Sequence, residues 1–199
     1  MIPSMLSGSI WFLILTFTIS PVAANHSSAN DLSGYLEDAR EHAGAFRDEQ
    51  ALEAYKLVLE QQDHHYEALW NAVMLHTAIG NRQSSSSVEE QHYEHAYEYA
   101  LVLLEHHPDS AGSHFAYSAA VGRKAESAGA RERLELSTEI REHAEKAVEL
   151  DPEYSRAWNV LGVWHHRAAN LSRAERWAAS ALFGGEPEGG SLETAWESF

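Results

Sequence analysis

Apolar residues recur every three or four positions along most of the chain, which is the spacing of an amphipathic α-helix. Leu52, Tyr55, Val58 and Leu59 are one example, and the same spacing returns from Tyr93 onward. No segment alternates apolar and polar residues over the length of a β-strand. The pattern therefore predicts an all-α protein.

Helix breakers stand only between the periodic stretches, where they mark turns. Helices are predicted over residues 31–44, 48–62, 66–80, 88–106, 110–126, 131–150, 153–169 and 171–183, with another starting at 191. Because the connections are short, consecutive helices should pack as antiparallel hairpins. The breakers Pro108 and Pro152 lie 44 positions apart, against about 34 for a common helical-hairpin repeat.

One segment carries the spacing of a tetratricopeptide repeat. Trp158, Leu161 and Gly162 occupy the expected positions, and His165 takes the place of the usual Tyr. This spacing favours a tetratricopeptide-like solenoid over residues 31–199, with about four hairpins and expanded repeats. The extra residues fall around 81–91 and 123–133, where they lengthen either the helices or the turns.

The N-terminal segment has a different composition. The first 24 residues contain no Asp, Glu, Lys or Arg, and an apolar run occupies residues 10–19. We expect residues 1–24 to be a signal peptide cut before Asn25, and residues 25–30 to be a linker. An uncleaved N-terminal membrane anchor is the alternative. Either interpretation predicts an exported protein, periplasmic or secreted, or anchored with its folded part outside the cytoplasm.

Charge and composition exclude several function classes. The formal net charge of −16 argues against nucleic acid as a partner, because binding phosphates relies on Lys and Arg. Without cysteine there are no disulfides, thiolate metal sites or cysteine nucleophiles. We find neither a Gly-x-Ser-x-Gly elbow nor a glycine-rich phosphate loop. The sequence thus predicts a protein that is not an enzyme and has no cofactor.

Thirteen histidines raise the question of a metal site. His92 and His95 share a predicted helix face with Glu89. A di-metal bundle would need a Glu-x-x-His on each of two helices, and residues 89–92 are the only match. We therefore predict no metal site and interpret His64, His65, His106 and His107 as solvated side chains near helix C-termini.

Several motifs resemble one family. The motifs are His-Pro-Asp-Ser at 107–110, Glu-Lys-Ala-Val-Glu-Leu-Asp-Pro at 145–152, Leu-Gly-Val-Trp-His at 161–165 and Ala-Asn-Leu-Ser at 169–172. Together they resemble the regulator of microtubule dynamics family over roughly residues 66–199. The resemblance implies a helical-repeat adaptor; animal members associate with microtubules or organelle contact sites, and one is thought to carry phospholipid. The predicted export points instead to a bacterial-type member, for which a microtubule role is not expected.

The concave face of such a solenoid, formed by the first helix of each hairpin, is the predicted ligand-binding groove. Its candidate residues are Trp70, Asn71, Met74, Phe115, Ala119, Asn159, Val163, His166 and Arg167. The alternative is that these side chains belong to the core.

Two functions fit this groove. The first is an adaptor of the cell envelope that binds a segment of a partner protein. The second is a lipid-binding or lipid-transfer protein that holds an acyl chain, with Arg123, Arg156 and Arg167 facing the phospholipid headgroup.

The C-terminus ends within a helix that family members usually extend. A terminal hairpin has a neighbour on only one side, so its apolar side chains would face water. These side chains are Trp177, Leu182, Phe183, Trp196 and Phe199. We expect the 199-residue chain to self-associate through its C-terminal helices, or the domain to be C-terminally incomplete.

Overall fold

The computed structural model describes residues 24–171, 176, 180–181 and 191–198, and its elements within these ranges are all helices. The helices are α1 (Ala24–Gly44), α2 (Asp48–Gln61), α3 (Tyr66–Gly80), α4 (Ser86–His106), α5 (Ala111–Ser127), α6 (Ala130–Leu150), α7 (Ser155–Ala169) and α8 (Leu192–Ser198). The prediction of an all-α protein is confirmed.

The helices pack in antiparallel pairs that follow each other along the chain. The hairpins are α1 with α2, α3 with α4, and α5 with α6, while α7 packs against both α6 and α8. Helix α3 also contacts α5, and α5 contacts α7. Helices α3, α5 and α7 therefore lie side by side and form one surface, here called the inner face. This arrangement confirms the predicted helical-hairpin solenoid.

Many of the buried residues in the described helices are alanines. Eleven of them have no exposed surface: Ala39, Ala51, Ala68, Ala72, Ala96, Ala100, Ala116, Ala120, Ala144, Ala147 and Ala157. A small side chain lets two helix backbones approach closely. Larger side chains, among them Tyr55, Leu69 and Leu103, are almost fully buried as well.

The turn between α1 and α2 has an unusual residue at its tip. Phe46 has a φ of 56°, and its side chain is 90% exposed. The Arg47 N–H donates to the His42 carbonyl at 2.9 Å, and the Phe46 N–H donates to Ala43 at 3.1 Å. These two bonds form a Schellman-type helix ending. Glycine is the usual residue at the left-handed position of such an ending, because a Cβ is strained in that backbone conformation.

One boundary differs from the prediction, and one alternative that the sequence left open is resolved. Helix α1 begins at Ala24, so residues 25–30, predicted as a linker, are helical. Helices α4 and α6 are each 21 residues long, whereas the turns before them stay short. The extra residues of the expanded repeats therefore lengthen the helices, which continue because no Pro or Gly interrupts them.

Several predictions concern residues outside the described part of the chain. They are the signal peptide, except for its last residue, most of the predicted helix over 171–183, and the side chains of Trp177, Leu182, Phe183, Trp196 and Phe199. Self-association through the C-terminal helices stays a prediction.

Candidate functional site

A cavity of about 1070 Å³ opens on the inner face between α3, α5, α6 and α7. Its apolar wall consists of Met74, Phe115, Leu134, Ile140, Val160, Val163 and Leu171. Cavities of this size hold drug-sized molecules, and an apolar wall with a few polar groups is typical of a binding site. The inner face can thus enclose a ligand rather than only contact one.

Four arginines line the cavity: Arg123, Arg133, Arg141 and Arg167. Glu126 is the one acidic residue among the described lining residues, although the chain has 30 acidic and 14 basic residues in all. The cavity is therefore a cationic region in an acidic protein, and it favours a ligand with negative charge.

Three of these arginines share one end of the cavity. Arg123 lies near the end of α5, Arg133 near the start of α6, and Arg167 near the end of α7. Because α5 and α7 run in the same direction and α6 runs against them, these positions meet at one end. Arg123 is paired with Glu126 at 2.9 Å, and Arg133 donates to the Ala128 carbonyl at 2.9 Å.

The fourth arginine lies further along α6, over an aromatic ring. The Arg141 guanidinium is 5.1 Å from the ring centroid of Trp164. The Trp164 indole N–H donates to both the carbonyl and the hydroxyl of Ser137 at 2.9 Å, which fixes α7 against α6. This contact forms the part of the cavity wall where the two helices meet.

Seven of the nine predicted groove residues line this cavity. They are Met74, Phe115, Ala119, Asn159, Val163, His166 and Arg167. Trp70 and Asn71 do not line it. The Trp70 ring lies 5.1 Å from the Arg156 guanidinium, and the Asn71 amide donates to the Glu67 carbonyl at 2.8 Å. Of the two further arginines proposed to face a headgroup, Arg123 lines the cavity and Arg156 does not.

The contribution of α6 was missed from the sequence, because only the first helix of each hairpin was expected to face the groove. Yet Arg133, Ser137 and Arg141 follow each other at intervals of four, as do Leu134 and Thr138. Such spacing places side chains on one helix face. This row of mostly polar side chains on a long helix was the signal in the sequence that could have identified α6 as a wall of the cavity.

A pair of imidazoles joins α5 to α6 beside the cavity. The Nδ1 atoms of His114 and His143 are 2.9 Å apart, and Nε2 of His114 is 2.9 Å from the Pro108 carbonyl. A carbonyl only accepts, so Nε2 of His114 carries the proton and its bare Nδ1 accepts from His143. Burial, with the neighbouring His114, lowers the pKa of His143 below its ordinary value.

Tyr117 strengthens the same contact. Its ring centroid is 4.3 Å from that of His143, and its hydroxyl donates to the Glu139 carboxylate at 2.9 Å. Burial and the hydrogen bonds with Tyr97 and Glu139 raise the pKa of Tyr117 above its ordinary range. The tyrosine thus stays a neutral donor at physiological pH.

The histidines considered for a metal site have other partners. His92 Nδ1 lies 3.0 Å from Nδ1 of the buried His76, His95 bonds Glu98 at 3.0 Å, and Glu89 accepts from Tyr93 at 2.9 Å. Within the residues that the structure describes, no group of three His, Cys, Asp or Glu side chains is arranged to hold a metal ion.

Comparisons with known proteins give one consistent result. The family model described as Regulator of microtubule dynamics protein 1-3 matches residues 36–199. Regulator of microtubule dynamics protein 3 of Rattus norvegicus is 28% identical over 177 residues, covering 87% of this chain and 37% of that protein. Protein 1 of Bos taurus is 29% identical over 131 residues, covering 65% of this chain and 41% of that protein. The chain spans about two fifths of the length of these relatives.

The predicted location of the protein is wrong. Its relatives are animal proteins named as regulators of microtubule dynamics, not exported, periplasmic or secreted proteins. The prediction depended on one short apolar run, and the residues before that run lack the Lys or Arg that normally orients a leader peptide. Helices long and apolar enough to cross a membrane are absent from the described part of the chain.

Proposed function

The chain belongs to the regulator of microtubule dynamics family, and from that premise we propose that it is a non-catalytic adaptor that binds a segment of a partner protein in the inner-face cavity. The observation that carries this proposal is the cavity of about 1070 Å³, with its apolar wall and cationic end. Apolar anchors buried in a pocket supply most of the affinity in protein recognition, and charges at the rim set partner choice.

The bonding of the cavity's hydroxyl groups supports binding rather than catalysis. The Ser118 hydroxyl donates to the Phe115 carbonyl at 2.8 Å, and the Ser137 hydroxyl accepts from Trp164. A serine nucleophile instead needs a positioned base within hydrogen-bond reach. The relatives are likewise named as regulators rather than as enzymes.

A microtubule role returns as part of this proposal, since the predicted export was the reason to set it aside. The relatives' names say that they regulate microtubule dynamics, and we carry that role to this chain as a hypothesis. The partner segment would then belong to a component of the microtubule system.

Co-sedimentation with microtubules tests this role. We expect the native protein to pellet with microtubules and Ala119→Trp to stay in solution, because a tryptophan side chain at position 119 would project into the cavity and occupy part of the space for the partner segment. Ala45→Trp is the matched control, since Ala45 is exposed in the turn between α1 and α2. Equal pelleting of both variants would exclude the cavity as the binding site.

A second candidate function is binding of an anionic lipid. The observation that favours it is the grouping of Arg123, Arg133 and Arg167 at one end of the cavity, while apolar residues such as Phe115 and Val160 line the rest. A phosphate headgroup would bind the guanidiniums, and the acyl chain would lie along the apolar wall.

Native mass spectrometry after mild purification tests lipid binding. Bound phospholipid should be present in the native protein and lost when Arg123 and Arg167 are both replaced by Glu. Arg131→Glu is the control, because Arg131 is exposed and bonds only Glu135 in the described contacts. A native protein that never retains lipid and transfers none between vesicles would exclude this second function.

A further inference from the structure

The two histidines that join α5 to α6 lie at the open end of their hairpin. His114 is the fourth residue of α5, and His143 is the fourteenth of the 21 residues of α6, whereas the turn between the helices is at residues 128–129. The connecting turn therefore holds one end of the hairpin. The other end depends on side-chain contacts, and the imidazole pair is one of them.

The number of protons on the two rings decides whether this contact exists. Two neutral imidazoles carry two ring protons, which leaves one bare nitrogen at the contact and allows the observed hydrogen bond. A third proton is tolerated, because one Nδ1 atom can still accept. With four protons, an N–H faces an N–H at 2.9 Å, and both rings are cationic. Full protonation therefore breaks the contact.

The groups around the pair set the acidity at which this happens. Tyr117 of α5 faces His143 and is neutral. Glu139 and Glu142 on α6 favour protonation of His143. Burial and His114 oppose protonation, and their effect is larger, so the pKa of His143 is lowered. The pair should hold at neutral pH and separate only in acid strong enough to protonate both rings.

Cavity residues flank both histidines. Phe115 follows His114 on α5, and Ile140 and Arg141 are within three residues of His143 on α6. Any separation of α5 from α6 at this end would widen the cavity between them. We propose that the His114–His143 pair is a proton-operated tie between the two helices, so that acidification opens the cavity and releases its ligand. Release of a ligand depends on the proposed binding function; the separation of the helices does not.

One substitution distinguishes protonation from a merely structural role. In His143→Gln the side-chain amide can still donate to His114 but does not titrate in this pH range, so the hairpin should stay closed in acid. His106→Gln is the control, because His106 is exposed and stacks only on His64 in the described contacts.

The separation can be measured directly, because the chain has no cysteine of its own. Spin labels on Asp109→Cys and Glu149→Cys, both exposed, would report the distance between the start of α5 and the end of α6. We expect the native distance distribution to lengthen and broaden between pH 7.5 and pH 4.0, and that of His143→Gln to change much less. An unchanged native distribution at pH 4.0, or an equal change in His143→Gln, would overturn the proposal.

A fluorescent fatty acid, 11-(dansylamino)undecanoic acid, provides the ligand measurement. Between pH 7.5 and pH 4.0 we expect its affinity for the native protein to fall about tenfold more than its affinity for His143→Gln, since protonation of the probe's own carboxyl affects both proteins alike. Equal loss of affinity in both proteins would contradict the proposed release. If the probe binds neither protein at neutral pH, the lipid function fails, and the spin-label distances still decide whether the tie exists.

Discussion

The region of α1 to α3 and the region of α5 to α7 are built from the same helical hairpin, yet they fill their interiors differently. The first is packed with buried Leu52, Tyr55 and Ile79. In the second, the cluster around Phe115 contains only two further buried apolar residues, both alanines, and a cavity opens beside it. The size of the side chains between the helices thus decides whether the space between hairpins is packed or leaves a cavity.

The largest expected contrast comes from truncating one leucine in each region. Leu52 is 4% exposed in the packed region, whereas Leu134 is half-buried on the cavity wall. Leu52→Ala should lower the free energy of unfolding by about 3 kcal/mol and Leu134→Ala by less than about 1 kcal/mol, because only the first leaves a new void. Urea unfolding measures both, and equal losses would mean that the two regions are packed alike.

A smaller effect is expected from acid, through the buried His76 between α3 and α4. Burial, and then His92, His95 and Lys56, lower the pKa of His76 to about 3. The folded protein therefore stays unprotonated there, while the unfolded chain binds a proton below pH 6.5. Above pH 6.5, His76 does not lower the free energy of unfolding. Below pH 6.5, the free energy of unfolding falls as the pH drops.

The loss attributable to His76 should be about 2 kcal/mol at pH 5, since each pH unit costs about 1.4 kcal/mol while only the unfolded state titrates. Denaturant unfolding at pH 7.5 and pH 5.0 measures it, and His76→Phe should remove most of the dependence. A variant as acid-sensitive as the native protein would place the effect on other groups, such as the His114–His143 pair.

Two glycines test the same contrast on a finer scale. A Cβ on Gly80 would lie 2.8 Å from Cε1 of Tyr93, whose hydroxyl is fixed by a 2.7 Å bond to Asn81. Nothing lies within 4 Å of the corresponding position on Gly122, beside the cavity.

Gly80→Ala should lower the free energy of unfolding by about 1 kcal/mol, although alanine has the better helix propensity. Gly122→Ala should raise it by up to about 1 kcal/mol. Thermal unfolding followed by circular dichroism would show shifts of opposite sign. Stabilisation by both substitutions would mean that the α3–α4 contact is looser than its geometry indicates.

The smallest effect is expected at Phe46, in the turn of the packed region. Glycine adopts its φ of 56° without a Cβ penalty, so Phe46→Gly should raise the free energy of unfolding by about 0.5 kcal/mol. Phe46→Ala is the control, because it removes the exposed ring and keeps the strained backbone. If alanine stabilises the protein as much as glycine, the backbone conformation is not the cause.

The helices could be predicted from the sequence because their signals are local. The spacing of Leu52, Tyr55 and Val58 and the breakers at Gly80 and Pro108 place most helix ends within two residues of those observed. Most of the candidate groove residues were predicted in the same way, by counting positions along the first helix of each hairpin.

The contacts across each hairpin could not be predicted in this way. His76 meets His92 over 16 residues, and His114 meets His143 over 29. Each pairing depends on where two long helices cross, which periodicity leaves open. The two histidine pairs were accordingly not predicted, and α6 was overlooked as a wall of the cavity.

The order of contacts along the chain has a consequence for how the protein is made. Each of the helices α2 to α7 packs against the helix before it, and the inner-face contacts reach back only as far as the preceding hairpin. A chain emerging from the ribosome could therefore complete each hairpin and dock it on the finished ones, without waiting for its C-terminus. Synthesis and folding would proceed in the same direction, and a stalled ribosome would carry a shorter stack of folded hairpins rather than an unfolded chain.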